Sequence, residues 1–92
     1  MIHIASPVGP NPAKENDMID TAVNGVKFIM TAAQKYKVKR VVITSDINTV
    51  NWLPREDLKT VCDESCWSDV TNVPNSRYSA YIKSKILSER AA

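Results

Sequence analysis

The sequence is poor in the residues that mark a metalloprotein, a secreted protein or a membrane protein. It holds two cysteines, Cys62 and Cys66, and one histidine, His3. A structural zinc site takes about four such ligands, so no metal centre is expected. No charged segment followed by an apolar one opens the chain, and no Asn-x-Ser/Thr acceptor occurs in it. The two thiols are therefore expected to be reduced, as in a cytoplasmic protein. No apolar run approaches the ~20 residues needed to cross a bilayer. Charge of one sign is scarce too. A formal net charge of +2 is too small to imply nucleic acid or an anionic membrane as partner. Lys35, Lys37, Lys39 and Arg40 do cluster, but no aromatic platform or second basic run accompanies them. Their position suits the C-terminal end of a helix, where the dipole favours cations.

What remains is ordinary globular composition, 43% hydrophobic and 24% charged, in 92 residues. That length allows one small domain with a thin core, or a piece of a larger one. Ile2-His3-Ile4-Ala5 reads as a buried strand halted by Ser6-Pro7-Val8-Gly9-Pro10. Asn11 suits an N-cap with Pro12 at the first helical position, and Asn16 a second start with Asp17 and Asp20 behind it. Met18, Ile19, Ala22, Val23, Val26, Ile29, Met30 and Ala33 then recur at helical spacing as far as about Tyr36. Gly25 inside this helix costs about 1 kcal/mol relative to Ala, which predicts a close packing contact there. Arg40-Val41-Val42-Ile43-Thr44-Ser45 is the clearest strand, and its β-branched run predicts burial on both faces. Residues 46–74 read as a long irregular stretch, with a helical turn around Arg55 to Lys59. A last helix is expected from about Ser76, with Tyr78, Ile82, Ile86 and Leu87 near one stripe.

This β-α-β-loop-α order is the grammar of an α/β segment from a doubly wound parallel sheet. It supplies at most two parallel strands, so residues 1–92 are expected to be part of a Rossmann-type domain. Ligands of such folds bind beyond the C-terminal ends of the strands, where Ala5-Ser6-Pro7 and Ser45-Asp46-Ile47 fall.

Tyr81-Ile82-Lys83-Ser84-Lys85 carries the most chemistry. On a helix, Tyr81 and Lys85 are neighbours at i and i+4. A nearby ammonium stabilises tyrosinate and is expected to lower the Tyr81 pKa toward the working range of a general acid/base. The same spacing also arises on an ordinary solvated helix.

Four segments together resemble one family. Ile2-His3-Ile4-Ala5-Ser6-Pro7-Val8, Arg40-Val41-Val42-Ile43-Thr44-Ser45, Asp63-Glu64-Ser65-Cys66-Trp67-Ser68-Asp69, and Tyr81-x-x-Ser84-Lys85 followed by Glu89 resemble an extended short-chain dehydrogenase/reductase of the dihydroflavonol and cinnamoyl-CoA reductase branch. The resemblance implies NADP or NAD bound on a Rossmann sheet, and hydride transfer to or from a carbonyl or alcohol carbon. It implies that Tyr81 donates the proton, and that Lys85 lowers the Tyr81 pKa and binds the nicotinamide ribose. It also implies that Ala5, Ser6, Pro7 and Thr44 lie beside the cofactor and that Trp67 lies toward the substrate. A homodimer through helices 12–36 and 75–92 is implied as well.

Three departures qualify this. The Gly-rich fingerprint is missing, since the chain begins at what would be the fourth strand. The segments that follow the Tyr81 helix, including the substrate domain, are missing too. Asp46 stands where the family's catalytic Ser is expected, after Thr44 and Ser45. A carboxylate can only accept hydrogen bonds, repels tyrosinate, and opposes negative charge growing on a substrate oxygen. A one-residue shift that presents Ser45, or a protonated Asp46, would restore a donor. The expectation is a reductase segment without turnover on its own. The alternatives are a non-catalytic relative that acts through its two helices, and an unrelated helical module whose Met18 and Met30 form a groove.

Overall fold

The computed structural model describes residues 1–52, 61–63 and 65–92. Strand β1 (Ile2–His3), helix α1 (Glu15–Lys35), strand β2 (Val42–Ile43) and helix α2 (Ser79–Ala91) follow in that order. Among the described residues between β2 and α2 lie the 3-10 turns Ile47–Thr49 and Val70–Asn72. The helical turn expected around Arg55 to Lys59 falls outside the described residues. The strands pair in parallel, Ile2 opposite Val42 and His3 opposite Ile43. The ladder is extended by Val42 N–H donating to Met1 O at 2.9 Å and Thr44 N–H to His3 O at 3.0 Å.

Both helices pack against each other. Ala22, Val26 and Ala33 of α1 and Ala80, Ser84 and Ile86 of α2 are buried. Small side chains at most of these positions let the helix backbones approach closely. The other α1 residues predicted for the core, Met18, Ile19, Val23, Ile29 and Met30, are half-buried. On α2 the expected apolar stripe is only partly the buried one. Tyr78 is exposed and Ile82 and Leu87 half-buried, while Ser79, Ser84 and Lys85 are buried beside Ile86.

The sheet departs most from the sequence reading. Each strand has two residues, where four and six were expected. Burial on both faces is not found. Ile2, Ile4 and Val42 are 71%, 69% and 53% exposed, while His3 and Ile43 on the alternate face are half-buried. Among the described residues the two-strand ladder has no neighbour on either edge, which favours short runs, and the helices meet the sheet at its His3–Ile43 face.

The helix starts also differ. α1 is preceded by Lys14, which makes no side-chain cap, and Asn16 lies inside the helix. Asn11 serves α2 instead. Its Oδ1 accepts from Ala80 N–H at 3.0 Å, its Nδ2 donates to Ser76 O at 2.8 Å and Ser79 Oγ at 3.0 Å, and its own N–H donates to Arg77 O at 2.8 Å. α2 therefore begins at Ser79 rather than Ser76. The C-terminus of α1 winds into a left-handed turn at Lys37 (φ 51°), with Val38 N–H donating to Ala33 O at 2.9 Å. The contact predicted for Gly25 is absent. A Cβ there would meet nothing within 4 Å, and Gly25 borders an open cleft instead.

Candidate functional site

The end of β2 and the first two turns of α2 bring the predicted residues together. Tyr81 donates its phenolic hydrogen to Asp46 Oδ2 at 3.0 Å. The Lys85 ammonium, buried, donates to Thr44 O at 2.8 Å, at the C-terminal end of β2. Ser45 turns the other way and donates to Glu89 Oε2. Successive residues after a strand alternate sides, so Asp46 rather than Ser45 meets Tyr81, and no one-residue shift occurs.

Asp46 is fixed by its own turn. Its Oδ1 accepts from Asn48 N–H at 2.8 Å and from Asn48 Nδ2 at 2.5 Å, and its carbonyl accepts from Thr49 Oγ1 at 2.9 Å. The carboxylate thus caps the Ile47–Thr49 turn with one oxygen and holds the phenol with the other. The signal was present in the sequence as Asp-x-Asn, a spacing at which an Asp side chain reaches the N–H two residues on.

The electrostatics differ from expectation. Burial first, then the hydrogen bond to Asp46 and its negative charge, push the Tyr81 phenol above its ordinary value. The expected lowering by Lys85 is not found. Desolvation and the carboxylate both favour the neutral phenol, and the Lys85 ammonium is committed to the Thr44 carbonyl.

The segments beyond the site are tied by Ser68, quoted above within the Asp63–Asp69 string but given no role there. Its buried hydroxyl donates to Asn48 O at 2.7 Å and accepts from Trp52 N–H at 2.8 Å. Its N–H donates to Thr49 O at 2.9 Å, and Trp52 Nε1 donates to Asn48 Oδ1 at 3.0 Å. Arg90 of α2 stacks over the Trp67 ring at 5.2 Å and donates to Ser68 O at 3.3 Å. Cys66 is buried and Cys62 exposed, and they form no disulfide. Among the described residues no cluster of three metal-ligating side chains occurs, and no helix is long and apolar enough to cross a membrane.

Ala5, Ser6, Thr44 and Lys85 border one cavity of about 20 Å³, room for about one water. Ala5, Ser6 and Pro7 also line, with Thr21 and Gly25, an open cleft of about 310 Å³. Tyr81 lines neither of these two. A Lys ammonium has three donors, and Lys85 spends one on Thr44, so its chemistry fits a ribose edge. With only Gly9 and Gly25, the chain supplies no Gly-rich turn for a pyrophosphate.

No family model matches the chain. It is 46% identical over 92 residues to cinnamoyl-CoA reductase 1 of Arabidopsis thaliana, covering all of this chain and 26% of that protein. It is 38% identical over 95 aligned positions to dihydroflavonol 4-reductase of Dianthus caryophyllus, again all of this chain and 26% of the relative. A solved reductase, engineered to attenuate substrate inhibition in asymmetric catalysis, superposes with a TM-score of 0.75 at 28% identity, over 98% of this chain and 29% of its own. The chain spans about a quarter of the length of these curated relatives.

Proposed function

Because the chain is a homologue of the cinnamoyl-CoA and dihydroflavonol reductases, matching about a quarter of their length, we propose that it is the proton-transfer segment of an NAD(P)-dependent oxidoreductase. The substrate class is a carbonyl compound or the corresponding alcohol, and the architecture is the middle of a Rossmann-type domain. The observation that carries this reading is the Tyr81–Asp46 hydrogen bond standing one helical turn from the buried Lys85, at the end of β2.

The nicotinamide cofactor, NADP or NAD, supplies or accepts the hydride when bound. Lys85 is the residue that would hold its ribose, with Ala5, Ser6, Pro7 and Thr44 alongside. Tyr81 keeps its proton at neutral pH, because burial and Asp46 favour the phenol. It is therefore charged with the proton that a carbonyl oxygen needs as it becomes an alkoxide. To deliver it, the O–H must leave Asp46. Asp46 neither donates to the substrate oxygen nor tolerates charge on it, so transfer at this site is slower than with a hydroxyl donor in its place.

The test is a graft. Residues 1–92 replace the matching quarter of the Arabidopsis cinnamoyl-CoA reductase, and NADPH oxidation is followed with cinnamoyl-CoA. We expect weak turnover from the graft, a gain of about tenfold or more with Asp46→Ser, and a loss of at least about a hundredfold with Tyr81→Phe. The 92-residue chain alone is expected to give none. A graft insensitive to Tyr81→Phe removes the catalytic reading.

A second reading rests on the outer face of α1, where Phe28 is 76% exposed. The α1–α2 pair then acts as a contact surface for a second copy of the chain. Light scattering decides it; a strict monomer at high concentration counts against it.

A further inference from the structure

A phenol has one hydrogen to give, and Tyr81 gives it to Asp46 Oδ2 at 3.0 Å. The carboxylate is in turn locked, with Oδ1 taking both Asn48 donors. Reversing the Tyr81–Asp46 bond would need a proton on Asp46, whose hydrogen bonds are all with donors. Ser45, the nearest hydroxyl in sequence, faces Glu89 on the other side. What Tyr81 offers to a molecule arriving at the end of β2 is therefore its oxygen lone pairs. A carbonyl oxygen, itself an acceptor, meets an acceptor there. A hydroxyl group meets its complement.

Resting on the reductase reading above, we infer that this site takes its substrate as a hydrogen-bond donor, an alcohol in preference to the matching ketone, and that Asp46 is the positioning residue that sets this preference by fixing the direction of the Tyr81 O–H. In the oxidative direction the balance is complete. The substrate O–H proton passes to the Tyr81 oxygen as the Tyr81 proton passes to Asp46, and the carbon-bound hydride leaves to oxidised NAD(P), which is reduced. Forward and reverse kcat/KM stay tied by the overall equilibrium, so the preference is read in binding, without cofactor.

The experiment uses the full 92-residue chain labelled with [13Cζ]tyrosine, with the Tyr81 signal assigned from Tyr81→Phe. Phenylethanol and acetophenone, matched in carbon skeleton, are titrated separately. One hydrogen bond is worth a few-fold in affinity, so we expect the alcohol to bind about fivefold more tightly. Asp46→Ser frees the phenolic hydrogen, and the order of the two ligands should invert. A merely structural role for Asp46 would weaken both ligands alike. In Tyr81→Phe, followed by ligand-observed NMR, the preference should vanish. Equal affinities, or ketone preference with Asp46 present, overturn the inference and leave the reductase reading standing. No effect of either ligand on the Tyr81 signal, with or without Asp46, overturns the inference, while the reductase reading stands or falls with the graft.

Discussion

Asp46 does two jobs with two oxygens, and only one of them was expected. That it would disfavour ionised Tyr81 followed from charge alone. That it would be pinned by Asn48, with its second oxygen turned to the phenol, depends on the 3-10 turn that it caps. Lys85 illustrates the limit from the other side. Its spacing from Tyr81 was legible, but its destination was not, because the Thr44 carbonyl becomes available only where the short ladder stops. A measurable consequence concerns alkaline pH. A phenol whose folded-state pKa is raised contributes stability that is fully present below its ordinary value, about 10, and is lost as pH rises through the folded value. The Tyr81 signal should therefore titrate above pH 10 and move down with Asp46→Asn. NMR titration of the labelled chain reads this directly; a midpoint below 10 in the native chain would contradict the packing around the ring.

At the scale of the element, both helices end in ways that can be probed singly. α2 has no cap of its own at Tyr78, and Asn11 provides one from across the chain. Asn11→Ala should cost about 1–2 kcal/mol, visible as faster amide exchange at Ala80 while the middle of α1 is unaffected. Lys37 occupies the left-handed position that closes α1, where a side chain costs roughly 1 kcal/mol that glycine does not. Lys37→Gly should raise the melting temperature, and no rise would mean that Lys37 makes a compensating interaction. Helix existence and approximate extent were readable because apolar spacing over α1 is regular and Tyr81–Lys85 fixes the α2 face. The caps were misread because Asn11 satisfies every local criterion for starting α1 while its partner lies in another element. Gly25 was misread for a related reason: its missing side chain leaves a cleft open rather than admitting a neighbour.

The whole molecule is a slab, 41 × 34 × 15 Å, with Ala22, Val26 and Lys85 of the helices beside His3 and Ile43 of the sheet. The β-branched run of residues 40–45 correctly indicated a strand but overstated its length, since the pattern suits a wider sheet with cover on both faces. What the fold leaves bare is Ile2, Ile4 and Val42 together. A contiguous apolar strip of this kind favours association, so dye binding to exposed apolar surface should be strong and should fall with Ile2→Thr and Val42→Thr together, with little change in melting temperature. Undiminished binding would place the sticky surface elsewhere. The amide of Asn11 has a last consequence. It joins positions 69 residues apart, and the intervening polypeptide is thereby drawn into a ring closed by non-covalent bonds. Supplied as two peptides, residues 1–52 and 53–92, the molecule keeps both partners of that closure, and mixing them should regenerate the helix pair without a peptide bond between the halves.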